Sequence, residues 1–208
     1  PQVQGQLDLS QDFKQISGTF SRLYLRKNKT KNASSIEPKT IPSLNLKIND
    51  FKYDNERFRN IQLSTTTTGN TLNLHSLKLS SSTLNGNLTG SWKKVGRTSY
   101  SSLSGNLQSG NMTNLFKILG FHSSLRGSTG TAELQLNWPA PIYQPNINRL
   151  SGFVKVRLAK GSIVNLGQST NTKLDLGRIL NLLNINNLIF LNFSDLGVKG
   201  YSFDKMYG

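Results

Sequence analysis

Few residues in this chain have the type and spacing for chemistry. The two histidines are His75 and His122, and neither stands in a metal-ligand spacing such as H-E-x-x-H. His75 extends the alternation of Leu72 and Leu74 and falls on its polar side; His122 follows a predicted helix end. Asp50, Asp54 and Glu56 cluster, but among Lys52, Arg57 and Arg59. That mixture predicts a solvated loop with local ion pairs rather than a general acid–base pair. With no cysteine there are no disulfides, thiolate metal sites or cysteine nucleophiles. A G-x-S-x-G elbow, a Walker loop and a G-x-G-x-x-G turn are all missing from the sequence. These observations point away from an enzyme, and no metal or cofactor is expected.

What remains is charge. The chain carries 25 Lys and Arg against 10 Asp and Glu, a formal net charge of +15. The imbalance is local: no acid occurs between Glu56 and Glu133, while Arg57, Arg59, Lys78, Lys93, Lys94, Arg97, Lys117 and Arg126 all fall there. Such a surface attracts anionic lipid head groups, acidic glycolipid or nucleic acid, and is equally an ordinary solubilising surface. Single-strand nucleic-acid binders interleave cations with exposed aromatics, and Phe51, Tyr53 and Phe58 beside Lys52, Arg57 and Arg59 would supply that patch. The same aromatics would also cover a sheet edge, and no helix-turn-helix, RNP or KH signature is present. A nucleic-acid partner is therefore not the expectation.

Those cations have to be carried by strands. Charged residues are 17% and hydrophobic residues 35% of 208, yet ten Phe, six Tyr and two Trp predict a folded chain. Apolar and polar residues alternate at Leu44–Ile48, Leu72–Leu74, Leu77–Leu79, Leu134–Trp138, Val154–Leu158 and Ile189–Phe193. Period two gives each strand one apolar and one polar face. Clusters of Gly, Asn and Ser between the runs read as hairpin turns. Leu-x-Gly recurs at Leu84–Gly86, Leu103–Gly105, Leu125–Gly127 and Leu150–Gly152, a hairpin-sized spacing that fits stacked units of an extended sheet.

Two segments break the alternation. Residues 111–120 read as a short helix with Asn111 as N-cap and Gly120 beyond its end, and residues 174–183 as a second with one apolar stripe. Lys27 to Pro42, rich in Lys, Asn and Ser with two prolines, reads as a long mobile loop. It divides an N-terminal part, residues 1–42, from a main region, residues 43–208. No apolar run reaches the ~20 residues of a membrane span. The chain begins at Pro1 and stops at Gly208 in a strand-like run, and reads as an excised piece of a longer protein. The expected fold is mostly β: an extended, twisted and curved antiparallel sheet, an open groove or taco-like form, with two short helices.

An ordered series of motifs runs through the C-terminal half. It comprises Leu103-Ser-Gly105, Leu115-Phe-Lys-Ile-Leu-Gly120-Phe121, Leu125-Arg-Gly127, Leu134-Gln-Leu136-Asn-Trp138-Pro139 and Leu150-Ser-Gly152. Lys160-Gly161, Leu176-Gly-Arg-Ile-Leu180, Leu191-Asn-Phe193-Ser194-Asp195-Leu196 and Gly200-Tyr-Ser-Phe203-Asp204 follow. The series resembles the C-terminal region of the YhdP-type members of the AsmA-like superfamily, relatives of TamB, from Trp92 to Gly208 and more loosely from Ser43. The chain departs from that pattern in its enrichment in Asn, Ser and Lys. Within the series, Asp195 lacks a His or Ser partner and reads as a turn acceptor at a strand end. Trp138 suits a groove lip and a sheet core equally.

The resemblance implies a long β-sheet trough with an apolar concave face. It would be anchored in the inner membrane by a segment absent from this chain, and would reach across the Gram-negative periplasm. It implies a part in moving phospholipid, or another anionic envelope lipid, towards the outer membrane. The residues expected on the apolar face are Leu134, Leu136, Trp138, Val154, Val156, Leu158, Ile189, Leu191 and Phe193. They would equally fill an ordinary sandwich core. Two other readings stand beside lipid transfer: a scaffold module that binds an envelope protein partner through its sheet edges, and an anion or nucleic-acid binder.

Overall fold

The computed structural model describes residues 2–26, 36–53, 56–81, 84–113, 125–145, 149–163 and 201–207. The chain is mostly strand. Hydrogen-bonded neighbours form an open, mixed sheet in the order β1-β2-β3-β4-β5-β6-β7-β9-β10-β11, with β8 pairing β10. The strands are β1 (Val3–Leu9), β2 (Gln15–Leu25), β3 (Ser43–Tyr53), β4 (Glu56–Thr68), β5 (Thr71–Ser80), β6 (Leu84–Val95), β7 (Thr98–Ser109), β8 (Leu125–Arg126), β9 (Thr129–Trp138), β10 (Ser151–Ile163) and β11 (Tyr201–Tyr207). Two compact units divide the chain. The first comprises Pro1–Ser81, Asn85–Gly105 and Gln135–Gly152; the second comprises Ser82–Leu84, Asn106–Leu134 and Phe153–Gly208.

The expected antiparallel sheet is corrected at one pair. β2 and β3 run parallel, with Phe20 opposite Ile48 and Leu23 opposite Phe51. Parallel neighbours need a crossover of about a dozen residues or more, which the stretch from Arg26 to Pro42 provides. The long segment expected there as a loop is thus the crossover that returns the chain so that β3 runs in the same direction as β2. Of it, residues 27–35 lie outside the described residues, and Pro38–Thr40 form a single 3-10 turn with Pro38 buried.

The helix expectation is corrected as well. Among the described residues the one complete helical element is that 3-10 turn, not two short helices. Met112 and Thr113 are helical, but the rest of 111–120 from Asn114 on, and all of 174–183, lie outside the described residues.

Within the first unit, cross-strand partners explain the core. Phe20, Ile48 and Ile61 are buried at 7%, 5% and 6% exposure and stand side by side on β2, β3 and β4. Leu23, Leu46, Phe51, Phe58, Leu77 and Leu79 pack around them. Burying each such side chain contributes about 1.5–3 kcal/mol. Alternation alone would put Phe20 and Leu23, or Ile48 and Phe51, on opposite faces. On β2 the alternation is broken where the β1–β2 register shifts between Gln4, opposite Arg22, and Gly5, opposite Phe20. The β4–β5 register shifts between Arg59 and Gln62, where Asn60 has a φ of 52°, and again between Ser64 and Thr65. The β5–β6 register shifts between Leu74 and Leu77, so buried Leu72 and Leu74 are followed by partly buried Leu77 and Leu79. Each bulge adds one residue and changes which parity faces the core.

At two of its four positions, Gly105 and Gly152, the Leu-x-Gly repeat has a structural reason; at Gly127 an added Cβ would meet nothing within 4 Å. Leu and Gly two apart share a face, and the glycine leaves room for the neighbouring strand's backbone. At Gly105 an added Cβ would stand closer than 3.0 Å to the Asn87 carbonyl of β6, and at Gly152 closer than 3.0 Å to the Gln135 carbonyl of β9. Their φ values, 150° and 118°, also disfavour any other residue.

In the second unit, Thr129 Oγ1 donates to the Ala159 carbonyl across β9 and β10, and Lys155 lies 3.9 Å from Glu133. β11 pairs antiparallel with β10, Leu158 opposite Met206 and Arg157 opposite Tyr207.

Candidate functional site

The candidate site is the apolar face of these strands. Its outer counterpart is polar: on β9, Glu133, Gln135 and Asn137 are exposed while Ala132, Leu134 and Trp138 are buried and Leu136 is half-buried. On β10, Lys155 and Arg157 are exposed while Val156 and Leu158 are buried at 3% and 4% and Val154 is half-buried. Six of the nine residues expected on the apolar face are therefore turned inward. Leu134, Val154, Val156 and Leu158 belong to the second unit, with Ala132, Leu107 and Met112 buried there too. Leu136 and Trp138 belong to the first. Ile189, Leu191 and Phe193 lie outside the described residues, as does Asp195.

Sequence reasoning missed how much of the first unit has an apolar face of its own. Phe20, Ile48, Ile61, Leu72, Leu74, Leu88 and Trp92 are all buried. Ile48, Leu72 and Leu74 stand in runs where alternation was visible, whereas Phe20, Ile61, Leu88 and Trp92 do not; for β2, the signal available was Ile16-x-x-x-Phe20 in an otherwise polar stretch.

One end of that face, within the first unit, is roofed by the loop after β9. Trp92 on β6 is fully buried, donates its indole N–H to Ser99 Oγ at 3.1 Å, and meets Tyr143 edge-on at 5.4 Å between ring centres. Trp138 donates its indole N–H to the Pro141 carbonyl at 3.0 Å. Ser101 Oγ donates to the Ala140 carbonyl at 2.7 Å. Both polar atoms of the indoles are thus satisfied inside, the condition under which tryptophan is stably buried. At 4% exposure, Trp138 is a core residue under this loop. Beside it, Lys94 donates to Glu37, which also pairs with Lys39 at 3.1 Å. The two ammonium hydrogen bonds, Lys94's the larger, hold the Glu37 carboxyl below its ordinary range.

Of the aromatics weighed as a nucleic-acid surface, Tyr53 is exposed and the other two are committed to the core. Phe51 and Phe58 are cross-strand partners with ring centres 6.3 Å apart, packed on the apolar cluster. Nor does Asp50 sit in a solvated loop: it belongs to β3, with its carboxylate largely shielded. Arg57 donates through Nε at 2.6 Å and Nη2 at 2.7 Å, and Tyr24 donates its hydroxyl at 2.7 Å. Arg22 stands 4.0 Å away. The Arg57 hydrogen bonds, helped by Tyr24, hold the Asp50 carboxyl down at about 2. This is a pinned ion pair, with its oxygens already satisfied. His75 is exposed and shares a hydrogen bond with Thr66 at 2.7 Å. Asp54 lies outside the described residues.

The family follows from the whole length of the chain. It matches the YhdP protein family over residues 1–208. The chain belongs to the YhdP family. The match extends past the stretch on which the motif resemblance rested and takes in β1 and β2. YhdP-family chains are AsmA-like envelope proteins. No match is found among curated proteins, and none among solved structures. Among the described residues, no helix is long and apolar enough to cross a membrane.

Proposed function

We propose that this chain is a segment of a periplasmic lipid-transfer protein whose apolar sheet face shields phospholipid acyl chains on their way between inner and outer membrane. The observation that carries the reading is the two-faced character of successive strands: β9 and β10 turn Leu134, Leu136, Val154, Val156 and Leu158 one way and Glu133, Gln135, Lys155 and Arg157 the other. Membership of the YhdP family supports it. Holding an acyl chain needs no catalytic group, since each methylene removed from water contributes about 0.8 kcal/mol. The protein does no covalent chemistry in this reading. The parent protein is held in the inner membrane by a segment outside this sequence.

Native mass spectrometry of the purified chain, incubated with phosphatidylglycerol and phosphatidylethanolamine, tests the proposal. Lipid-bound species are expected, and an inward polar substitution at half-buried Val154, Val154→Asn, should diminish them. If no lipid co-purifies and none loads, the chain is an assembly module that engages an envelope protein, and the transfer reading fails.

A further inference from the structure

A cavity of about 590 Å³ opens in the first unit, beside the roof over Trp92 and Trp138. Its cationic lining is Lys94 at the end of β6, Arg97 in the β6–β7 turn and Arg149 before β10. Thr98, Ser99, Tyr143 and Gln144 add hydrogen-bonding groups; Pro139, Ala140 and Pro141 form a wall. Among the described residues no carboxylate lines it. Lys94 is engaged by Glu37, but among the described residues no carboxylate lies within 4.0 Å of Arg97 or Arg149. Like charges gathered round one cavity repel unless an anion joins them. The volume lies in the range of small-molecule sites, roughly 300–1,000 Å³.

The wall is fixed before any ligand arrives. Ala140 and Pro141 accept from Ser101 and the Trp138 indole, and the Gln144 N–H closes a turn onto the Pro141 carbonyl at 2.9 Å. A wall fixed in advance loses little freedom on binding. Guanidinium groups match phosphate oxygens with two parallel hydrogen bonds, which an ammonium does not. Ser99, which lines the cavity, also accepts from Trp92 of the apolar face.

We propose that this cavity is a binding site for a phosphate group, with Arg97 and Arg149 as its principal ligands. That the phosphate is a lipid head group rests on the transfer reading above: Trp92 would mark where the apolar face begins and the cavity would hold the polar end. The phosphate site itself rests only on the cavity.

The protein's two tryptophans, Trp92 and Trp138, both lie under the cavity's wall, so intrinsic fluorescence reports on it directly. The full chain would be titrated separately with monomeric dihexanoyl-phosphatidylglycerol, inorganic phosphate and uncharged dihexanoylglycerol. The expected result is a saturable change with the phospholipid, weakened by salt, and a tenfold or greater loss of affinity in the double variant Arg97→Ala/Arg149→Ala. Both arginines are exposed, so the double variant should unfold in urea like the parent. Inorganic phosphate that binds through the same arginines, with no response to either lipid, would keep the phosphate site and sink the lipid-transfer reading. Phospholipid that binds equally to the parent and the double variant would overturn the phosphate site and leave the apolar face standing. No response to phospholipid or phosphate would overturn it too.

Discussion

Replacing Gly152 by alanine should be among the most damaging one-methyl changes in the chain. Gly152 has a φ of 118°, and the new Cβ would stand closer than 3.0 Å to the Gln135 carbonyl oxygen of the neighbouring strand. The backbone strain alone costs about 1–3 kcal/mol. The clash is with main chain, so β9 and β10 must separate locally and lose contacts, which takes the total to about 3 kcal/mol or more. Gly110 provides the control: no heavy atom lies within 4 Å of its built Cβ, and its φ is not in the left-handed region. Alanine there should be neutral or stabilise by about 0.4–1 kcal/mol through the unfolded state. Urea denaturation followed by far-UV circular dichroism separates the two, and for a chain of this size the Gly152→Ala loss corresponds to a Tm about 6–12 °C lower. Equal midpoints for Gly152→Ala and Gly110→Ala would refute the assignment of Gly152 to close strand approach.

Asp50 makes stability depend on acid. Its carboxyl titrates at about 2 when folded and near 3.9 unfolded, so the ion pair's contribution is complete above about pH 4 and is lost as pH falls towards 2. With Arg57 half-exposed, screening reduces that contribution to about 1 kcal/mol, and Asp50→Asn should flatten the pH dependence of the urea midpoint between pH 4 and 2. Trp92→Ala empties a fully buried site and should cost about 3–5 kcal/mol, read by thermal denaturation. Val156→Asp places a carboxylate where 3% of the side chain is exposed, and should destabilise by about 3 kcal/mol or more at pH 7 and recover partly at pH 4 as the acid neutralises.

The strands that carry the candidate site were legible because their alternation is local. Leu134, Trp138, Val156 and Leu158 each point inward, as period two requires, and their polar neighbours point out. What escaped is non-local. The parallel pairing of β2 with β3 depends on where the chain returns after Arg26, and no residue of either strand encodes that on its own. The irregularities near Asn60 and between Leu74 and Leu77 change the parity of the inward face along β4 and β5, and whether Phe51 and Phe58 stack in the open or cover the sheet could not be read from alternation. The roof over Trp92 and Trp138 brings residues 92–101 to residues 138–144, and the cations of the phosphate cavity come with it. Their positive charge was plain in the sequence; their convergence needed the fold.

The most direct measurement is photo-crosslinking to lipid at two adjacent positions of β9. A benzoylphenylalanine at half-buried, inward Leu136 should capture phospholipid in cells and in purified protein, while the same residue at exposed, outward Gln135 should not. Phospholipid adducts at both positions alike, or at neither, would contradict an apolar face that shields acyl chains.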